Sequence, residues 1–167
     1  MLVSGLCPGG SMGFRFRSPK PVLLRREDWI LLSLAVARRN LHPVKLHKLL
    51  SLLGREFPNL TAEPFYGFRA TDNGQFSVEV NRDVNLLAIV GVIAIDLPNG
   101  EREYRLTPQG LERARDFESR ADPEAMGFLR RTAAWVRTRS VDQLLDASAE
   151  PTAAAPAPPK APTIRQR

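Results

Sequence analysis

Apolar and polar positions alternate along the chain with two clear periods. "REDWILLSLAVARRN" is apolar nearly all round, with Trp29, Ile30, Leu32, Leu34 and Val36 on every side, which predicts a central helix over 26–39. "LHPVKLHKLLSLLGREFPNL" places Leu46, Leu49, Leu50 and Leu53 at i, i+3, i+4 and i+7, one buried face of a second helix. Pro43 suits its first turn, Gly54 and Pro58 bracket its end, and Lys45, Lys48 and Arg55 fall off the buried face. A third helix, "SVEVNRDVNLLAIVG", is capped by Ser77, keeps Val80, Val84 and Leu87 at helical spacing and closes at Gly91.

The period then changes from helix to strand. "VIAIDLPNGEREYRL" carries β-branched Val92, Ile93 and Ile95, a Pro98-Asn99-Gly100 turn and a returning Tyr104 and Leu106, the pattern of a hairpin. Thr107-Pro108 joins a good N-cap to a residue pre-set for the first helical turn, so strand passes into helix without a loop. Gly110 in that first turn predicts close approach to a neighbour, and the helix is expected to run to about Arg120. Asp122-Pro123 repeats the start signal for a helix over "EAMGFLRRTAAWVRTR". Its Arg130, Arg131, Arg137 and Arg139 are expected opposite Phe128, Ala134 and Trp135, as a polar face or as a dimer or nucleic-acid contact. Ser140 with Gln143 forms a capping box for a short last helix carrying Leu144 and Leu145. "TAEPFYGFRATDNGQFS" is expected as a loop anchored by Phe65, Tyr66, Phe68 and Phe76, with a turn at Asp72-Asn73-Gly74.

Three helices followed by a hairpin is the winged-helix arrangement, a helix-turn-helix variant. The expected fold is therefore mainly α with a small β-hairpin wing (α+β), a winged helix-turn-helix with additional C-terminal helices, over residues 22–148. Residues 1–21 carry Gly, Ser, Pro and scattered Arg without period, and 149–167 are rich in Pro and Ala. Both are expected as disordered extensions, with Met12 an alternative start.

Charge changes the picture once it is located. The chain has 167 residues and a formal net charge of +6. Of its 24 basic residues, Arg15, Arg17, Lys20, Lys160, Arg165 and Arg167 lie outside 22–150, leaving 18 inside, and all 18 acidic residues lie inside. The core is neutral by count, so the charge excess describes two basic ends that attract any polyanion weakly and is no evidence for a basic groove. No apolar run approaches the roughly 18 residues that span a bilayer, and "MLVSGLCPGG" lacks the basic start of a signal peptide. The expected location is the cytoplasm.

Candidate chemistry is sparse. Cys7 is the single cysteine, so no disulfide can form within the chain. His42 and His47 are five apart and do not share a helix face as a metal-binding i, i+4 pair would. No phosphate loop, nucleophile elbow or zinc spacing occurs, and the chain is expected to be no enzyme and to need no cofactor or metal.

Together, "KLHKLLSLL" (45–53), "GQFSVEVNRDVNLLAIVGVI" (74–93) and "EYRLTPQG" (103–110) resemble the YwgA-like prokaryotic winged-helix proteins. Those proteins look related to the Panacea or SocA-like domain of phage-associated and antitoxin proteins. The likeness spans roughly 28–147. The sequence departs from the pattern at Gln75, where that family usually has proline, and at "ASAEP", where it closes on Tyr-Pro-Glu. The resemblance implies the winged-helix fold and a regulatory or toxin-linked setting, and no catalytic residues.

Two functions from different classes follow. A DNA-binding transcriptional regulator would read the major groove with the third helix, whose exposed residues are expected among Glu79, Asn81, Arg82, Asp83 and Asn85. Asn81 or Asn85 would read adenine and Arg82 guanine or a phosphate. Lys45 and Lys48 would supply phosphate contacts, with Arg38, Arg39, Arg55 and Arg69 beside them, and Arg102 is the wing's single cation among Asp96, Glu101 and Glu103. The alternative is an antitoxin-like or adaptor module that binds a protein partner such as a toxin through Phe65, Tyr66, Phe68 and Phe76. A homodimer is compatible with either.

Overall fold

Nearly every start and stop signal in the described chain is used in the computed structural model, which describes residues 23–72 and 74–149. Helix α1 (Arg26–Ala37) ends two residues before the expected boundary. Arg38 there adopts a left-handed conformation, φ 55°, and its N–H bonds back to the Ala35 carbonyl. That turn delivers Leu41 to the wing, where it exchanges backbone hydrogen bonds of 2.8 and 2.9 Å with Tyr104. Trp29, Ile30, Leu31, Leu32 and Leu34 are all buried, and α1 is the central helix, packed by α2 (Pro43–Glu56), α3 (Val78–Ile89), α4 (Pro108–Arg120) and α5 (Pro123–Arg137).

Helix α2 buries Leu46, Leu49, Leu50 and Leu53, the expected stripe. Its N-cap is His42, whose Nδ1 accepts from the Val44 N–H. The aromatic segment differs from expectation. It holds a two-stranded hairpin, β1 (Arg69–Thr71) with β2 (Gly74–Phe76), registered Arg69 to Phe76. Three-residue strands carry too little alternation to stand out from a loop. Their pairing is supported from outside, since β2 packs on α2 and on α6 (Val141–Ala149).

Ser77 caps α3 by accepting from Val80 N, and Gly91, φ 80°, closes it in a Schellman-type turn in which Val92 N–H reaches the Leu87 carbonyl at 3.0 Å. The wing pairs β3 (Ile93–Asp96) with β4 (Glu103–Leu106) antiparallel, Ile93 opposite Leu106. Asp96 and Glu103 face each other across it. Arg105 answers the first at 2.6 Å and Asn40 the second at 3.0 Å. Thr107 then caps α4 through Gly110 N while its hydroxyl donates to the Gly91 carbonyl at 2.7 Å. The strand-to-helix junction is thus tied to the end of α3.

Helix α5 starts on its Asp122 cap and α6 on the Ser140–Gln143 box, both as expected. The inward side of α5 corrects the sequence reading. Ala125, Met126, Leu129, Thr132, Ala133 and Val136 are buried, Phe128 and Trp135 are half-buried, and Ala134 is exposed. Arg139 stacks on Trp135, 4.1 Å from its ring centre, which sets that ring at the protein edge. The fold is mainly helical with small antiparallel hairpins. No helix among the described residues is long and apolar enough to cross a membrane. The expected extensions, with Cys7, Met12 and the Asn73 turn position, lie outside the described residues, except that Ala149 still belongs to α6.

Candidate functional site

Helix α3 is the element from which the expected DNA reading would act, the aromatic segment being the expected site of the alternative, and its surroundings decide which of its side chains are free. At its start, Ser77 N–H donates to His47 Nδ1 at 3.1 Å. A backbone N–H can only donate, so Nδ1 is the unprotonated nitrogen and Nε2 carries the hydrogen, directed at Asn81 Oδ1 3.2 Å away. His47 is buried, stacked on Phe76 at 5.3 Å and edge-on to Phe68 at 6.3 Å. Asn81, expected to read a base, is therefore engaged in holding α3 to α2.

Burial lowers the His47 pKa below its ordinary 6.5, and the Asn81 hydrogen bond opposes this only in part. The unfolded chain accordingly takes up a proton before the folded one does. Stability is complete above pH 6.5 and falls as pH drops below it, by at most about 1.4 kcal/mol per pH unit from this one group. Thermal melts at pH 7.5 and 5.5 test this. His47→Gln is expected to lose this part of the pH dependence, and an unchanged profile in that variant would assign it to other groups.

Asp83 corrects a second expectation. It is buried, not displayed, and its carboxylate accepts from Arg26 Nε at 3.1 Å, Tyr66 Oη at 3.1 Å and Arg82 Nε at 3.2 Å. Burial, and next the Asp83 charge, push the Tyr66 hydroxyl far above its ordinary range, so it stays a donor to that carboxylate. Arg26 also covers the Tyr66 ring at 5.1 Å.

The four aromatic residues are brought together, as a wedge. Phe65 meets Tyr66 edge-on at 5.2 Å, Tyr66 meets Phe68 at 6.5 Å, and Phe76 lies over His47. Phe65 lies so close to α2 that a Cβ on Gly54 would sit 2.4 Å from its ring. Tyr66 is buried, Phe65 and Phe68 are half-buried, and Phe76 is the one of the four presented to solvent.

The solvent face of α3 holds residues that sequence reasoning did not single out. Val78 is 68% exposed, Leu86 53%, Ile89 80% and Val90, the C-cap, 56%. Val78, Arg82, Asn85, Leu86 and Ile89 follow at i, i+4, i+7, i+8 and i+11, one stripe about 16 Å long. The signal was present: α3 is apolar on two faces, Val80/Val84 and Val78/Leu86/Ile89, and one helix face suffices for a core. Leu97 at the wing tip is also exposed. Arg102 is exposed, near enough to Tyr104 for its charge to oppose the rise that burial imposes on that hydroxyl. Lys45 and Lys48 are half-buried on α2. Burial and then the neighbouring Arg55 charge lower the Lys48 pKa, placing those two cations together. Arg38 is not with them, because it turns toward α4 and α5. Among the described residues no three His, Cys, Asp or Glu side chains are placed to hold a metal ion.

Compared with protein-family models, with curated proteins and with solved structures, the chain finds no match.

Proposed function

We propose that this chain is a non-enzymatic winged-helix protein that binds another protein through its third helix, as an antitoxin-like or adaptor module. The winged-helix reading is supported by the order α1, Leu41 bridge, α2, α3, β3, β4, in which Leu41 takes the place of a third strand against the wing. The resemblance to the YwgA-like proteins accords with it.

One observation carries the choice of partner: the outward stripe of α3 ends on an exposed apolar cluster, Leu86, Ile89 and Val90, with Ile89 the most exposed of the large apolar side chains among the described residues. Contiguous exposed apolar surface marks protein contact, and phosphates gain nothing from it. The polar set a DNA reader needs is depleted, since Asn81 is bound to His47 and Arg82 leans on Asp83. The wing adds Glu101 and Glu103 beside a phosphate field that favours cations. Arg82, Asn85 and Arg102, with Lys45 and Lys48, remain the residues through which DNA would be held.

The test sets the two against each other. Full-length protein carrying a photo-crosslinking residue at position 85 is used to trap its partner in its native host, and the trapped protein is purified and titrated. Ile89→Asp is expected to weaken that complex at least tenfold, about the loss of one buried aliphatic anchor, with Lys45→Ala without effect. Anisotropy with DNA from upstream of its own gene and with scrambled DNA runs alongside. A preference for its own DNA that disappears in Arg82→Ala or Asn85→Ala would replace this reading with the DNA-binding regulator.

A further inference from the structure

On α1, between α4 and α5, runs a second surface feature: an open groove of about 510 Å³. Its floor is apolar, with Ala35, Val36, Leu111 and Ala134 at the surface over the buried Leu32 and Met126. Leu111 is 39% exposed although α4 has a buried side available, so the floor is open to solvent at that point. The rim is cationic. Arg38 comes from the C-cap of α1, Arg115 from α4, and Arg130 and Arg137 from α5. One carboxylate, Glu118, stands among them and is taken by Arg130. Arg38, Arg115 and Arg137 have no ion-pair partner among the described residues.

Four guanidiniums from three helices converge on one apolar trough in a core that is neutral by count. We infer that this groove binds an acidic amphipathic segment of a partner protein, apolar side chains on the floor and carboxylates on the arginine rim. Charge complementarity selects this occupant. The chain's own ends carry Arg15, Arg17 and Lys20, and Lys160, Arg165 and Arg167, which the rim repels. A nucleic-acid backbone satisfies the rim and leaves the floor unused. Length favours a peptide over a small anion: Arg130 and Arg137 are two helical turns apart, so the rim extends about 10 Å, the spacing of side chains at i and i+7 on a bound helix. Planar guanidiniums hold carboxylates in paired hydrogen bonds, and a helix lying in an apolar groove is a common mode of peptide recognition. This inference is independent of what α3 binds.

The probe is a synthetic 14-residue helix with Leu at i, i+3, i+4, i+7 and i+11 and Glu at most other positions. It is titrated into the full-length protein beside a scrambled peptide of equal composition and a single-stranded oligonucleotide of equal charge. The patterned peptide is expected to bind more tightly than both competitors. Arg115→Glu and Arg137→Glu are each expected to weaken it roughly tenfold, the scale of two rim charge contacts, and Leu111→Asn similarly through the floor. Ile89→Asp and Arg102→Glu should leave binding unchanged. Equal binding of patterned and scrambled peptides, tighter binding of the oligonucleotide, or no loss in the groove variants would each overturn the inference.

Discussion

Gly110→Ala is expected to destabilise the protein by about 3 kcal/mol or more, although alanine is the better helix former by about 1 kcal/mol. A Cβ at Gly110 would lie 1.9 Å from the Val92 carbonyl oxygen and 2.9 Å from its carbon. Both are backbone atoms, so no side-chain rotation relieves the clash. Helix α4 must move off the Val92 backbone that leads into β3, and the move strains the Thr107 hydroxyl bond to the Gly91 carbonyl and the Thr107 N–H bond to Val92. Gly127 is the control. It also lies within a helix, but its added Cβ meets only the flexible end of Arg131 at 3.4 Å. Gly127→Ala is expected to be neutral or stabilising by up to about 1 kcal/mol. Urea unfolding of the two variants separates packing from propensity. Equal stability of Gly110→Ala and wild type would mean that α4 can shift away from the Val92 backbone at little cost.

Asp83→Ala is expected to cost about 3 kcal/mol, the low end for breaking a buried pair from one side. Arg26 and the Tyr66 hydroxyl both lose their acceptor. The low end applies because the Arg26 side chain keeps 20% exposure and can turn to water. Arg82 touches the same carboxylate but is 59% exposed, so Arg82→Ala should cost under about 1 kcal/mol. Asp83→Asn, which keeps an acceptor and loses the charge, should fall between them. Thermal melts read the order. A loss in Arg82→Ala equal to that in Asp83→Ala would show that the node is held from the surface and not from within.

Legibility in the sequence followed the range of the interaction. The caps Ser77, Thr107 and Asp122 and the Ser140–Gln143 box satisfy N–H groups three residues away, so residue type and spacing alone place them. The leucine stripe of α2 and the encirclement of α1 were readable for the same reason, because helical periodicity is written in neighbouring positions. Gly110 signalled close approach, and what it approaches was not indicated. The β1–β2 hairpin was hidden, because short strands take their stability from α2 and α6. The inward side of α5 was misassigned because Trp135 and Phe128 outweigh Ala125 and Ala133 in hydrophobicity, while close helix packing accepts the small residues.

The candidate site divides along the same line. Arg82 and Asn85 on the outward face of α3 could be named from the sequence. The fate of Asn81 and Asp83 could not, since His47 lies 34 residues from Asn81 and Arg26 lies 57 from Asp83. Nor could the sequence choose which of the two apolar faces of α3 is covered. A helical period records that a face exists, and only the packing of α1 and β3 against α3 decides that Val80 and Val84 go inside while Val78, Leu86 and Ile89 are left exposed.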